Sequence, residues 1–146
     1  MIHIPKEMID TMILHANSEK PNECCGLLAG KDRSVTEIHP ISNLPAEDPS
    51  ILDLNVPSDR RFRYVMDPKE QIACFKKMRE NGTELLSIYH SHPASPAYPS
   101  ATDVRLAFYP DVHYVIISLE KHDRPVVRAF RIVEEAITEE AISGWS

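Results

Sequence analysis

Cysteine is scarce in this sequence: three residues in 146, Cys24, Cys25 and Cys74, two of them adjacent. Such a set does not make a disulfide framework and suits a reducing compartment, so secretion is disfavoured. Basic residues are also outnumbered, 16 Lys and Arg against 22 Asp and Glu, for a formal charge of −6, and the longest basic runs are Arg60-Arg61 and Lys76-Lys77. That balance lacks the positive footprint of a nucleic-acid binder, and no nucleic-acid partner is expected. No apolar run approaches the roughly 20 residues of a membrane span. Met1 to Pro5 has neither the basic nor the apolar region of a signal peptide, so the chain reads as cytoplasmic with no membrane role. Repeats and splitting linkers are missing too, and residues 1–146 are expected to form one domain. A chain of this size buries roughly two-thirds of its unfolded surface, enough for a core without staples. A bound metal is therefore expected to serve function.

What is present alternates between strand and helix signals. A helix over 5–18 starts at Pro5, turns Met8, Met12, Ile13 and Ala16 inward and stops before Pro21. Cys24 to Ala29 is a short apolar run fit for a buried strand, and Val35 to Ile41 alternates as its hairpin partner. Residues 42–61 hold Pro45, Pro49 and Pro57 with many acids and no period, which reads as one long loop whose part 46–59 is a solvated face. A strand is expected over Phe62 to Met66. Asp67-Pro68-Lys69-Glu70 then combines an N-cap, a proline at the first helical position and a capping-box acid. That helix places Ile72, Phe75, Lys76 and Arg79 at helical spacing and ends at Asn81-Gly82. Leu85 to Tyr89 is a central strand, His90 to Ser100 a loop stiffened by three prolines, and Ser100 the cap of a third helix with Val104, Leu106, Ala107 and Phe108 as its apolar face. Val112 to Leu119 and Pro125 to Val133 are two strong β-runs, and Ala136 to Ile142 reads as strand or helix. Helices alternating with strands before a closing hairpin give an α/β class, an α-β-α sandwich with a mixed sheet.

The chemistry gathers between His90 and Asp103. Two histidines two apart at the exit of a β-run point to the same side, so both imidazoles can grip one ion. Asp103, in the first turn of the next helix, brings a carboxylate to the same end of the sheet. Three protein ligands leave a fourth position for water, the pattern of catalytic zinc. Each piece has a plainer reading alone: Ser100-x-x-Asp103 is an ordinary capping box, and His-x-His by itself is weak. The readings are compatible, because Ser100 can cap through its hydroxyl while Asp103 turns to the metal. The sequence lacks the His-Glu-x-x-His of helical metalloproteases and the His-x-Glu with Pro-Cys-x-x-Cys of nucleobase deaminases. Cys24 and Cys25 point to opposite faces of a strand and are expected to be packing residues, like Cys74. His3, His15, His39, His113 and His122 show no ligand spacing, and Trp145 either docks the tail or marks a contact.

The run His-x-His, seven residues, Ser, two residues, Asp resembles the JAMM motif of the MPN family of zinc peptidases, without insertion. Asn22-Glu23-Cys-Cys-Gly26-Leu27-Leu28 is similar to that family's early Glu-x-x-Gly-Leu-Leu segment, and the order of elements matches over essentially the whole chain. The resemblance implies the MPN (cytidine-deaminase-like) fold, zinc on His90, His92 and Asp103, Glu23 on an early strand as general acid/base and Ser100 as a hydrogen-bond donor to the transition state. It further implies a peptidase or isopeptidase that cuts after the Gly-Gly tail of a ubiquitin-fold protein. The short, insertion-free chain looks like the prokaryotic members that process sulfur-carrier proteins, for instance by releasing cysteine from a carrier's C-terminus. The rival from another class is a non-catalytic MPN scaffold, which has no need of the five-residue set. A zinc-stabilised binding module would want four closed ligands, and no fourth candidate lies nearby.

Overall fold

The computed structural model describes residues 1–144. Its strands are β1 (Ile2–His3), β2 (Cys25–Lys31), β3 (Ser34–Ile41), β4 (Glu84–His92), β5 (His113–Ser118), β6 (Val126–Val133), β7 (Ala136–Glu140) and β8 (Ile142–Ser143). Its helices are α1 (Lys6–Glu19), α2 (Pro49–Leu54), α3 (Pro68–Asn81) and α4 (Ala101–Arg105). These strands join one sheet in the order β7-β6-β5-β4-β2-β3-β1-β8. β4 runs parallel to β5, and β1 parallel to both β3 and β8, while the other neighbours are antiparallel, so the sheet is mixed as expected.

Alternation along the central strands feeds two cores. On one face, Ile9, Met12 and Ala16 of α1 bury against Cys24, Leu28, Tyr89, Val115 and Ile117. On the other, Met78 of α3 packs with Cys25, Leu27, Ile88 and Tyr114. Helices on both faces make the α-β-α sandwich. Gly26 pairs with Tyr89 across β2 and β4, and a Cβ at that position would drive into the Tyr89 ring. The glycine of the early motif therefore makes room for the tyrosine next to His90. At the α3 start, Asp67 caps as expected, accepting from Lys69 N at 2.8 Å, and Gly82 ends the helix at φ 68°.

Several expectations are corrected. The 42–61 stretch is not one loop: α2 forms within it, capped by Asp48 through Ser50 N at 3.0 Å and anchored by buried Ile51. Phe62 to Met66 is no strand, because its pairing shrinks to one bridge, Asn43 with Met66, and its burial does not alternate, with Phe62 exposed while Arg63 and Met66 are both buried. Glu70 does not close a capping box but accepts from Ser42 N at 2.9 Å, tying α3 to the chain after β3. Ile72 faces solvent. The third helix is a single five-residue turn, with Phe108 beyond its end and exposed, since positions 104, 106, 107 and 108 do not share one helical face. β4 continues through His92, so both histidines lie on the strand. The tail is strand, and β1 and β8 were not expected, being two-residue elements too short to carry a pattern. The expectation for Trp145 lies outside the described residues. No helix among the described residues is long and apolar enough to cross a membrane.

Candidate active site

β4 lies between β2 and β5, with His90 opposite Cys25 on one side and Ile116 on the other. Strand periodicity puts Ile88, His90 and His92 on the face covered by α3 and α4. Where β4 ends, hydrogen bonds fix the proline-stiffened turn. Leu119 N donates to His92 O at 3.1 Å, Ser118 Oγ to Ser95 O at 2.6 Å, and His92 Nδ1 contacts Pro96 O at 2.8 Å. A carbonyl only accepts, so His92 carries its hydrogen on Nδ1 and, when neutral, presents a bare Nε2 to the site.

The chain then re-enters through α4. Ser100 Oγ accepts from Asp103 N at 3.1 Å, and Asp103 Oδ2 accepts from Ser100 N at 2.9 Å, a closed capping box. The same Oδ2 lies 3.1 Å from His90 Nε2 and 3.0 Å from His92 Nε2, and the two Nε2 atoms are 3.1 Å apart. One carboxylate thus serves the cap and the cluster together. Tyr64 stacks on His90, ring centroids 4.4 Å apart, and closes the cluster from behind.

Glu23 arrives differently. It precedes β2 instead of lying on it, and its backbone groups bond outside the ladder: its N–H donates to Arg60 O at 2.9 Å and its carbonyl accepts from Asn43 Nδ2 at 3.0 Å. Cys24 is held both ways by Ser91, through Oγ at 2.8 Å and through the Ser91 N–H at 3.1 Å. A ligand atom of Glu23 lies within 4.8 Å of those of His90, His92 and Asp103. This corrects the expectation that no fourth donor lies near: distant in sequence, Glu23 is close in space.

The two carboxyls are pulled in opposite directions. Burial, with the Asp103 charge beside it and only partial opposition from Arg63, pushes Glu23 up to about 9. Burial acts the same way on Asp103, but the two imidazoles outweigh it and hold the group well below the usual carboxylate range. Burial pulls His90 down, whereas for His92 the Asp103 carboxylate and the Pro96 carbonyl overcome burial and raise it. Asp103 is thereby held as an anion, while burial favours the protonated form of Glu23.

Two buried polar atoms of the cluster, Glu23 Oε1 and His90 Nδ1, have no hydrogen-bond partner among the described residues. Two imidazole nitrogens and a carboxylate oxygen about 3 Å apart suit an ion bound at roughly 2 Å from each, and the N/O donor set fits zinc. Glu23, Pro57, Arg61, Phe62, His92 and Ser100 line a cleft of about 380 Å³ that is open to solvent. Burial pushes the Cys24 thiol up to about 12 and Cys25 well above its ordinary value, so neither is poised as a nucleophile. His3, His15, His39 and His113 pair with Ser143, Tyr89, Glu37 and Glu140, away from the cluster.

All five expected site residues are thus brought to one place. Asn43, Arg63, Tyr64 and Ser91, which order them, went unnoticed in the sequence. The Ser between the two histidines was readable as a strand residue on the face opposite theirs, but nothing local marks the other three.

Residues 5–133 match the family described as prokaryotic homologs of the JAB domain. The CysO-cysteine peptidase of Mycobacterium tuberculosis is 36% identical over 140 residues, spanning 96% of this chain and 88% of that protein. The desampylase of Haloferax volcanii is 36% identical over 115 residues, 75% of this chain and 74% of that protein. Protein DSY2949 from Desulfitobacterium hafniense, solved in solution, superposes with a TM-score of 0.81 at 41% identity, over 97% of this chain and 91% of that one. The architecture is shared with JAB1/MPN-domain structures of much lower identity. The fold and these relatives together place the chain in the prokaryotic JAB-domain family, within the JAMM/MPN metallopeptidases.

Proposed function

We propose that the chain is a single-domain, zinc-dependent peptidase of the cytoplasm that hydrolyses the bond after the Gly-Gly tail of a ubiquitin-fold sulfur-carrier protein, releasing a small group such as cysteine. The observation that carries this reading is the convergence of His90 Nε2, His92 Nε2 and Asp103 Oδ2 within 3.1 Å of one another beside an open cleft that Glu23 and Ser100 line. His90, His92 and Asp103 would hold the ion. When bound, zinc supplies Lewis-acid chemistry, acidifying water and polarising a carbonyl.

The remaining work belongs to side chains. Glu23 takes a proton from the attacking water and later returns one to the leaving amine; burial favours its protonated form, which suits the second step, and the charge of a zinc held by the neighbouring ligands would offset that burial for the first. Ser100 Oγ is already an acceptor from Asp103 N–H, so its own hydrogen is available to a developing oxyanion. Phe62 and Pro57 on one wall and Ser100 to Thr102 on the other leave a cleft that an extended glycine tail can enter. The substrate class is supported by the relatives' names, a CysO-cysteine peptidase and a desampylase. A scaffold role would leave the buried acid and the two same-face histidines without a purpose.

The test incubates zinc-loaded protein with ubiquitin-fold carriers ending in Gly-Gly-Cys and identifies the released group by mass spectrometry. Cleavage after Gly-Gly is expected, with Gly→Val at the carbonyl-bearing residue lowering kcat/KM far more than changes on the carrier's globular surface. Equal cleavage of unstructured peptides with and without Gly-Gly would overturn the substrate assignment.

A further inference from the structure

Segment 42–66 forms one wall of the cleft and carries the groups that hold Glu23, yet within it the regular structure is limited to α2 and one bridge. Outside α2, two side chains tie its two ends together. The Arg63 guanidinium is completely buried and donates to four neutral oxygens: Nε to Pro57 O at 3.0 Å, Nη1 to Asn43 Oδ1 at 2.6 Å and Leu44 O at 2.7 Å, and Nη2 to Ser58 O at 2.7 Å. Burying a cation against dipoles alone is costly, and an apolar side chain would fill the volume at lower cost. An apolar residue would, however, leave three loop carbonyls without donors. Asn43 is the second hub. Its Nδ2 donates to Glu23 O and Arg63 O, each at 3.0 Å, and its Oδ1 accepts from Val65 N at 3.0 Å as well as from Arg63.

Among the described residues none bonds Glu23 Oε1, so the carboxyl inherits its aim from the backbone. That backbone is fixed by the Arg60 carbonyl on one side and the Asn43 amide on the other. We propose that Asn43 and Arg63 are positioning residues, a clasp that fastens segment 42–66 to the Glu23 backbone and so sets where the Glu23 carboxyl stands over the cleft. This rests on the reading of Glu23 as the general acid/base. The clasp touches neither substrate nor the ligand atoms. It acts through Glu23 alone.

The test compares Asn43→Ala and Arg63→Lys with wild type in the zinc-loaded full chain. Hydrogen exchange resolved at individual amides is measured alongside kcat, KM, metal content and thermal unfolding. For Asn43→Ala we expect bound metal at the wild-type stoichiometry, a KM close to wild type and a kcat lowered on the order of 10- to 100-fold, the scale of a small misplacement of a reacting group. The Glu23 amide, which donates to Arg60 O, should exchange at least about ten-fold faster, while Leu27, Leu28 and Ile88 in the ladder keep their protection. Arg63→Lys, retaining charge and one or two of the donors, should fall between wild type and Asn43→Ala in both readouts. Faster exchange spread evenly over β2 and β4, or a kcat loss matching only a lost folded fraction, would reduce the pair to general stabilisers and overturn the proposal. Unchanged Glu23 exchange with wild-type kcat would do the same. A Glu23→Gln enzyme of full activity would instead sink the acid/base reading, and the exchange data would still decide whether the clasp holds Glu23.

Discussion

The end of β4 and segment 42–66 each bring part of the site, and they are ordered by different physics. His90 and His92 sit on a strand bonded on both sides, and their same-face placement follows from a period of two. Asp103 is delivered by a capping box, itself a local four-residue pattern. Glu23 stands outside the ladder, its carbonyl held by the Asn43 side chain 20 positions away and its N–H by the Arg60 carbonyl, with Arg63 bonded in turn to Asn43. The metal-binding half thus comes from repeating backbone geometry, while the proton-handling half comes from a few irregular hydrogen bonds. Ladder changes should therefore cost metal or stability, and changes on the Glu23 side should cost rate.

The strongest way to break that division is at the ligands. His92→Ala removes one of three protein donors and should lose the bound zinc, expected at one per chain, and with it turnover. Elemental analysis of wild type, His90→Ala and His92→Ala decides this, and zinc retained in full by both variants would end the ligand assignment. Glu23→Gln is next in size. It should keep the fold and the metal while losing roughly 10²- to 10⁴-fold in kcat, the usual contribution of a positioned general acid/base. Parallel metal and rate measurements separate it from the histidine variants.

The same division explains what the sequence made legible. His-x-His on an apolar run, Ser-x-x-Asp before a helix and Asp67-Pro68 at the α3 start are short-range patterns, and the structure realises each, with Glu70 of the last diverted to Ser42. Glu23 was identifiable through its resemblance to a family segment, and its standing before β2 instead of on it follows from bonds to Arg60 and Asn43 that no periodicity encodes. Arg63, two residues beyond the basic pair Arg60-Arg61, carries no local mark of its burial, yet it is fully enclosed. The Phe62 to Met66 strand fails beside it: the Arg63 guanidinium turns inward to the loop carbonyls, Phe62 is left exposed, and pairing is limited to the Asn43–Met66 bridge. α2 escaped notice because one buried residue, Ile51, suffices to dock six residues and leaves no stripe. Among the described residues, β1 pairs only with β3 and β8, and β8 only with β1.

The smallest effect on rate is expected where the two regions meet, at the cysteine pair. Cys24 packs into the core under α1 and Cys25 into the core on the opposite face, and burial raises both thiols. A thiolate at either position is disfavoured, so a thiol mechanism predicts inactivation on replacement and the zinc mechanism does not. Cys24→Ser retains the backbone bonds to Ser91 that hand the chain from Glu23 into β2, so Glu23 keeps its place. Its cost is a hydroxyl in an apolar setting, about 1–3 kcal/mol of stability. Cys25→Ser should cost less than Cys24→Ser, since Cys25 Sγ already lies 3.4 Å from Ile41 O, an acceptor the new hydroxyl can use. Denaturant unfolding measures the loss, and kcat with chelator-sensitive activity should stay near wild type in both variants. Inactivation of either serine variant while it remains folded and metal-loaded would place a thiol in the chemistry and erase the contrast between a ladder that sets stability and a segment that sets rate.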